Sequence, residues 1–268
     1  PRSSSAASDV YKRQIYNELV NSIPKEEISL KIKKNDFYYF SKIKSDEQYP
    51  VYFREKESIE EEILNANKLG KDLDYYQISG VSPSPNNNII AYGEDKNGRR
   101  EYTVKFKDLR SDSLLIDELQ NTSGNICWGS DEYIYYTLKD PKTLISNKVF
   151  RHKLGESQKD DFLIYEELDD QFNLSISKSR TDRYIYINSS KTESNEIRMI
   201  DLENILEEPK CLLERSDKHL YYVEDTPESF YALSNKDDRI NFCLLTFKKE
   251  DFGNYSDWKE VLEHNDQI

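Results

Sequence analysis

Four short segments recur along this 268-residue chain at a nearly fixed interval, and that recurrence restricts its fold more than any other feature. Each opens with an apolar, strand-like run, passes through a polar turn, and ends in a second strand closed by Leu or Phe. Ile89-Ile90-Ala91-Tyr92 leads to the run Tyr102 to Leu109, and Tyr133-Ile134-Tyr135-Tyr136 leads to Val149 to Leu154. Tyr184-Ile185-Tyr186-Ile187 leads to Glu196 to Leu202, and Phe230-Tyr231-Ala232-Leu233 leads to Phe242 to Phe247. The closing residues Leu109, Leu154, Leu202 and Phe247 lie 45, 48 and 45 apart. Several short strands per unit, at roughly 40–50 residues per unit, are the mark of β-propeller blades. One blade has two faces to bury and covers them only by stacking on its neighbours. Within the first unit Tyr102, Val104 and Phe106 share one face and Thr103, Lys105 and Lys107 the other, the alternation of a half-buried strand. The expected fold class is therefore all-β, a partial propeller of about four blades. Four blades do not close a ring of the usual size. Either further residues complete the ring or this is an unusually small propeller, and the first reading is favoured.

Composition agrees and narrows the function classes. Tyr occurs 20 times, and its apolar body with a polar tip suits half-buried strands. The formal net charge is −13 with no Lys/Arg-dense stripe, which argues against a nucleic-acid partner. Such a surface serves solubility, or attracts basic peptides and cations. Cys127, Cys211 and Cys243 sit among apolar neighbours at spacings that match no zinc pattern, so they read as buried thiols in a reducing compartment. No segment resembles a membrane span or a secretory signal, so the expected location is the cytoplasm, with the periplasm as the alternative. No membrane partner, cofactor or metal is expected.

The chain divides into three regions. Residues 1–14 are Ser/Ala-rich, lack an initiator Met and differ in composition from the rest of the chain, so they read as a non-native or disordered leader. Residues 15–75 form a lead-in: Ile15, Leu19, Val20 and Ile23 have helical spacing up to Pro24, and Phe37–Phe40 and Val51–Phe53 read as strands. Ile59–Leu69 reads as a short helix or irregular segment. Residues 76–268 carry the repeats.

No catalytic set is visible. A nucleophile elbow reads G-x-S-x-G, and the stretches beginning at Gly80 and Gly155 both lack the last Gly. The three histidines have unremarkable settings: His152 on a repeat strand, His219 at the start of a strand, and His264 in a polar tail. The acidic run Glu166, Glu167, Asp169, Asp170 invites comparison with glycosidase acid pairs, but adjacent strand positions face opposite ways, and a solvated turn is the simpler reading.

Several short matches, in order, resemble the prolyl oligopeptidase family of serine peptidases, in particular its oligopeptidase B branch. They include Tyr49-Pro50-Val51-Tyr52 and Glu61 to Asn67, where Asn65 stands in place of the usual Asp, then Val81-Ser82-Pro83 with Ile90-Ala91-Tyr92. Gly98-Arg99-Arg100-Glu101-Tyr102 with Asp108-Leu109 and Trp128 with Tyr135-Tyr136-Thr137 are the strongest. Arg151 to Gly155, Tyr165 to Phe172, Ser194 to Arg198, Ser234-Asn235 and Asn241-Phe242 continue the series to the end. No single motif is decisive; their collinear order is. The resemblance implies a seven-bladed propeller over an α/β-hydrolase domain whose Ser-Asp-His triad, expected C-terminal to Ile268, cleaves short peptides after Arg or Lys. The implied partners are those basic peptides and the chain's own hydrolase domain, and the propeller's implied role is to restrict access. The chain alone is then inactive. Arg100 resembles propeller arginines facing the inter-domain cavity, where a guanidinium meets a substrate carboxylate or carbonyl; a surface or cross-strand ion pair is the plainer alternative. A free-standing interaction propeller and a small glycan-active propeller remain as competing functions.

Overall fold

In a computed structural model describing residues 3–24, 26–262 and 264–265, the chain forms two units that meet in sequence at Gln77 and Ile78. The first unit opens with helix α1 (Ser3–Ser22), so the helix read at Ile15 to Ile23 extends back through most of the expected leader. Strands β1 (Glu26–Ile28), β2 (Ile32–Lys34), β3 (Phe37–Lys44), β4 (Val51–Lys56) and β5 (Ile59–Asn65) come next and make one five-stranded sheet. The stretch expected to be helical or irregular is thus mostly strand β5, ending in the single turn α2 (Ala66–Leu69). Its acidic run is satisfied by bases on neighbouring elements. Glu61 lies opposite Arg54 and accepts from Arg54 Nε at 2.6 Å, while Glu62 accepts from Lys68 Nζ at 2.6 Å. Cross-strand partners of opposite charge stabilise a pairing that the run alone does not suggest. Asn65 fills the capping role of the usual Asp, its Oδ1 accepting the Asn67 and Lys68 amides at 3.1 and 3.2 Å.

The second unit begins with β6 (Gln77–Pro83), β7 (Ile89–Asp95), β8 (Tyr102–Asp108), β9 (Ser113–Trp128), β10 (Tyr133–Lys139), β11 (Ser146–Lys153) and β12 (Phe162–Glu166), which lie in chain order in one seven-stranded sheet. Strand β9 serves twice. Its first half, from Ser113 to Thr122, pairs with β8, and its second half, from Thr122 to Trp128, pairs with β10. The sheet is therefore two four-stranded meanders joined through one long strand. At the joint Gly124 has φ 81°, and a Cβ there would lie 2.9 Å from the Tyr102 ring. Two separate four-stranded sheets complete the unit: β13 (Asn173–Lys178), β14 (Tyr184–Lys191), β15 (Ser194–Asp201) and β16 (Lys210–Leu213), then β17 (Tyr221–Asp225), β18 (Phe230–Ser234), β19 (Cys243–Phe247) and β20 (Lys259–Leu262).

The repeat seen in the sequence is a repeat of backbone bonds. The amides of Leu109, Leu154 and Leu202 donate to the carbonyls of Asn88, Glu132 and Arg183 at 2.8, 2.9 and 3.0 Å, each closing the second hairpin strand of its unit. The turn before that hairpin recurs as well: Ser84, Gly129, Ser179 and Thr226 donate to Ile89, Tyr133, Tyr184 and Ser229 at 2.8–2.9 Å.

The core lies between successive meanders, as stacking requires. Val104, Phe106, Leu119, Trp128 and Tyr136 pack together from the first two meanders. Tyr135, Val149, Leu174, Ile185 and Ile200 bridge the second and third. Met199, Leu212, Tyr221, Phe230, Phe247 and Trp258 bridge the third and fourth. Each such fully buried side chain contributes about 1.5–3 kcal/mol. Cys127 and Cys243 are buried free thiols as expected, but Cys211 is only half-buried.

Candidate functional site

The turn between β7 and β8 carries Arg100, and one buried carboxylate organises it. Asp95, which is fully buried, accepts the Asn97 and Gly98 amides on Oδ1 at 3.0 and 2.9 Å and the Arg100 amide on Oδ2 at 2.8 Å. Lys139 Nζ donates to the Arg100 carbonyl at 2.6 Å. The Arg100 backbone is thus held on both sides, in the left-handed region at φ 56°. Its side chain is exposed, and among the described residues its guanidinium forms no ion pair or hydrogen bond.

The neighbouring turn is built alike. Asp140 stands 45 residues after Asp95 and accepts the Lys142 and Thr143 amides at 2.8 and 2.9 Å. Those Thr143 and Lys142 bonds hold its carboxyl below the usual range. In a meander alternate turns share one end, so the β7–β8 and β10–β11 turns and the β9 bend lie together. A depression of about 230 Å³ beside Arg100 is lined by Glu94, Lys96, Glu101, Lys105 and Glu118. A wider one of about 590 Å³, among Lys236, Arg239, Tyr255 and Trp258, holds no residue that the sequence singled out.

The acidic run is exposed at Glu166 and Asp170, as a solvated turn implies, but not throughout. Glu167 is buried and accepts both Arg215 Nη1 and Nη2, at 2.8 and 3.2 Å, Ser189 Oγ at 2.6 Å and the Asp169 amide at 3.0 Å. Burial raises its pKa, but Arg215 and Ser189 more than offset this and hold it down at about 2. Glu166 pairs with Lys148 at 3.3 Å. Glu166 and Glu167 are thus each paired with a base and not with each other.

The histidines lie where the sequence puts them along the chain, His152 on β11 and His219 just before β17, but it does not reveal what surrounds them. His219 lies in the turn before β17 and is buried, with Nε2 2.9 Å from Ser234 Oγ. The pair resembles a Ser–His dyad only in composition. Ser234 is fully buried, it receives the Lys236 amide at 3.3 Å, and no carboxylate orients the imidazole, whose Nδ1 has no partner among the described residues. Burial, with the Lys236 charge, lowers the His219 pKa to about 4. His152 is buried between Asp117 and Asp161, an arrangement the sequence does not reveal. His264 Nδ1 lies 3.3 Å from the Phe242 carbonyl. The described residues hold no cluster suited to a metal ion and no helix long and apolar enough to cross a membrane.

Residues 3–268 match the family described as prolyl oligopeptidase, N-terminal beta-propeller domain. The chain belongs to this family. Among curated relatives the propeller is 32% identical over 265 residues to Protease 2 of Moraxella lacunata, covering 95% of this chain and 38% of that protein. It is 31% identical over 277 residues to Dipeptidyl aminopeptidase BI of Pseudoxanthomonas mexicana, again 95% of this chain and 38% of the relative. The propeller thus spans well under half the length of these relatives. Among solved structures, oligopeptidase B from Leishmania major superposes with a TM-score of 0.89 at 24% identity, over 97% of this chain and 38% of the other. Oligopeptidase B from Trypanosoma brucei gives 0.85 at 24% identity, over 96% and 37%. At these identities the superpositions establish the fold. The four successive meanders, the cores between them and the family match agree on an all-β propeller domain of a peptidase family.

Proposed function

We propose that this propeller is the substrate-gating part of an oligopeptidase B-type serine peptidase that cleaves short peptides after Arg or Lys. On this reading the meanders from β6 to β20 are four blades of a seven-bladed ring, and the Ser-Asp-His triad lies in an α/β-hydrolase domain C-terminal to Ile268. The relatives support it: two curated peptidases match at 31–32% identity along nearly the whole propeller and extend far beyond it. The observation that suggests a specific role is the Arg100 guanidinium, on a clamped turn and without a partner among the described residues. On this reading it binds a peptide carboxylate or backbone carbonyl by charge-assisted hydrogen bonds. The remaining residues form the wall that restricts entry to short, flexible chains. The peptides are basic and the propeller is acidic overall, at −13, which favours their approach.

Steady-state kinetics of the gene's whole product on an Arg-containing fluorogenic peptide test this. Cleavage after Arg or Lys is expected, with Arg100→Ala raising KM about 10-fold or more while kcat changes little, the loss of a hydrogen bond to a charged group. Unchanged KM retires Arg100. A gene product without a G-x-S-x-G hydrolase domain, or without peptidase activity, retires the gating role and leaves an interaction propeller.

A further inference from the structure

His152, near the end of β11, is buried with its ring between two buried carboxylates that come from different parts of the second unit. Nδ1 lies 2.7 Å from Asp161 Oδ1, in the loop leading to β12, and Nε2 lies 3.2 Å from Asp117 Oδ1 on the first half of β9. Phe106 of β8 stacks on the ring with centroids 6.1 Å apart. Asp117 and Phe106 belong to the first meander and His152 and Asp161 to the second, so the imidazole bridges adjacent meanders.

Both ring nitrogens face acceptors. An ionised carboxylate has no proton to donate, so two such contacts are satisfied together only when both nitrogens carry hydrogen. A neutral ring would turn one lone pair towards a carboxylate in a buried site, which is costly. The other groups around the cluster reinforce the acceptor role of the two acids. Asp161 Oδ2 accepts from the Tyr136 hydroxyl of β10 at 2.8 Å, and Asp117 Oδ1 also accepts the Gly155 amide at 2.5 Å. Gln158 Nε2 lies 3.3 Å from the Tyr136 oxygen. Arg151 and Lys153 flank His152 on the strand and so point to the opposite face. The charged groups in contact with the ring are the two aspartates.

We propose that His152 is a buried imidazolium that pins the first two meanders together, and that its deprotonation loosens this junction as pH rises. Burial lowers the ring's pKa, but the hydrogen bonds and charges of Asp161 and Asp117 more than offset this and place it above the ordinary 6.5. For a group whose folded pKa is raised, the added stability is full below the unfolded value and is lost as pH rises through the folded value. The device therefore loosens on the alkaline side. The β9–β11 junction lies in the same meanders as Arg100, which gives its state a route to the proposed substrate-facing turn.

Two measurements on the whole chain test the proposal. Ring nitrogen and carbon-bound proton shifts of His152 by NMR need no variant. Hydrogens on both nitrogens are expected at neutral pH, with a deprotonation midpoint above that of a free histidine. A single neutral tautomer at neutral pH, or a midpoint at or below the free value, overturns it. The second is amide hydrogen exchange at Gly155 and along β11 from about pH 6 to about pH 9, corrected for the intrinsic pH dependence of exchange. Opening about tenfold more frequent, in step with the ring's titration, is expected, and the step should vanish in His152→Gln. No step in the wild-type chain, or the same step in His152→Gln, overturns the proposal.

Discussion

Removing Arg215 tests whether the acidic run is structural. The perturbation leaves Glu167 buried, with its side chain 3% exposed, and keeps the Ser189 hydroxyl, the Asp169 amide and, at 3.4 Å, the Tyr165 hydroxyl as partners. Breaking a buried ion pair by removing one member costs about 3–5 kcal/mol. Arg215 itself is 32% exposed, which places the pair towards the lower end, at about 2–3 kcal/mol. The titration of Glu167 supplies a second route. Its carboxyl falls from the ordinary 4.5 to about 2, which corresponds to about 3 kcal/mol shared among Arg215, Ser189 and the Asp169 amide. For a unit of this size the Arg215 share shifts Tm by roughly 4–12 °C.

The sign of the pH dependence comes from the depressed pKa. Stability from the Glu167 charge is complete above about 4.5 and is lost as pH falls towards about 2. Arg215→Ala should therefore melt well below wild type at neutral pH, and the two should converge in acid. Arg215→Met separates charge from packing, since the guanidinium also lies 4.0 Å over the Phe172 ring. Urea denaturation at neutral pH and near pH 3 gives all three free energies. A loss below about 0.5 kcal/mol at neutral pH, or an equal loss at both pH values, would refute the reasoning.

Two further substitutions probe the packing. Gly124→Ala meets both a left-handed φ of 81° and the Tyr102 ring at 2.9 Å, whereas Gly155→Ala meets only φ 86° with nothing within 4 Å. The first should cost about 2–3 kcal/mol and the second about 1 kcal/mol by chemical denaturation, so equal losses would mean that Tyr102 moves aside freely. Trp258 stacks on Phe247 with centroids 4.0 Å apart and planes 4° from parallel. Trp258→Ala should cost about 3–5 kcal/mol and reduce the near-ultraviolet circular dichroism, and a loss under about 1 kcal/mol would show that the stack is not part of the core.

How much of this fold is legible in the chain depends on how far apart in sequence the interacting groups lie. The hairpin strands are legible because Tyr102, Val104 and Phe106 alternate with half-buried neighbours, and alternation is a local property. The Asp95 turn is legible as a turn from Asp95-Lys96-Asn97-Gly98, although the freedom of the Arg100 guanidinium is not. Strand β5 is hidden because its glutamates find bases on three other elements, Glu61 on β4, Glu60 on β3 and Glu62 on α2. The double use of β9 leaves no sign, since its two halves face different partners and blur the alternation. The bonds that decide the fold between meanders lie near one repeat apart. The Asn86 amide reaches Asp131, 45 residues on, and the Thr181 amide reaches Asp225, 44 on. Arg215 reaches Glu167 and Lys249 reaches Asp201, each across 48. These spacings match those of the closing residues Leu109, Leu154, Leu202 and Phe247. Stacked repeats place equivalent positions of neighbours side by side, so the period that reveals the repeat also indicates where each polar group should seek its partner. Read that way, an acid such as Glu167 points to a base about one repeat further along, where Arg215 stands. His152 escapes the rule because Asp117 lies 35 residues away and Asp161 only 9. Its bridge joins non-equivalent positions, and the repeat alone does not reveal it.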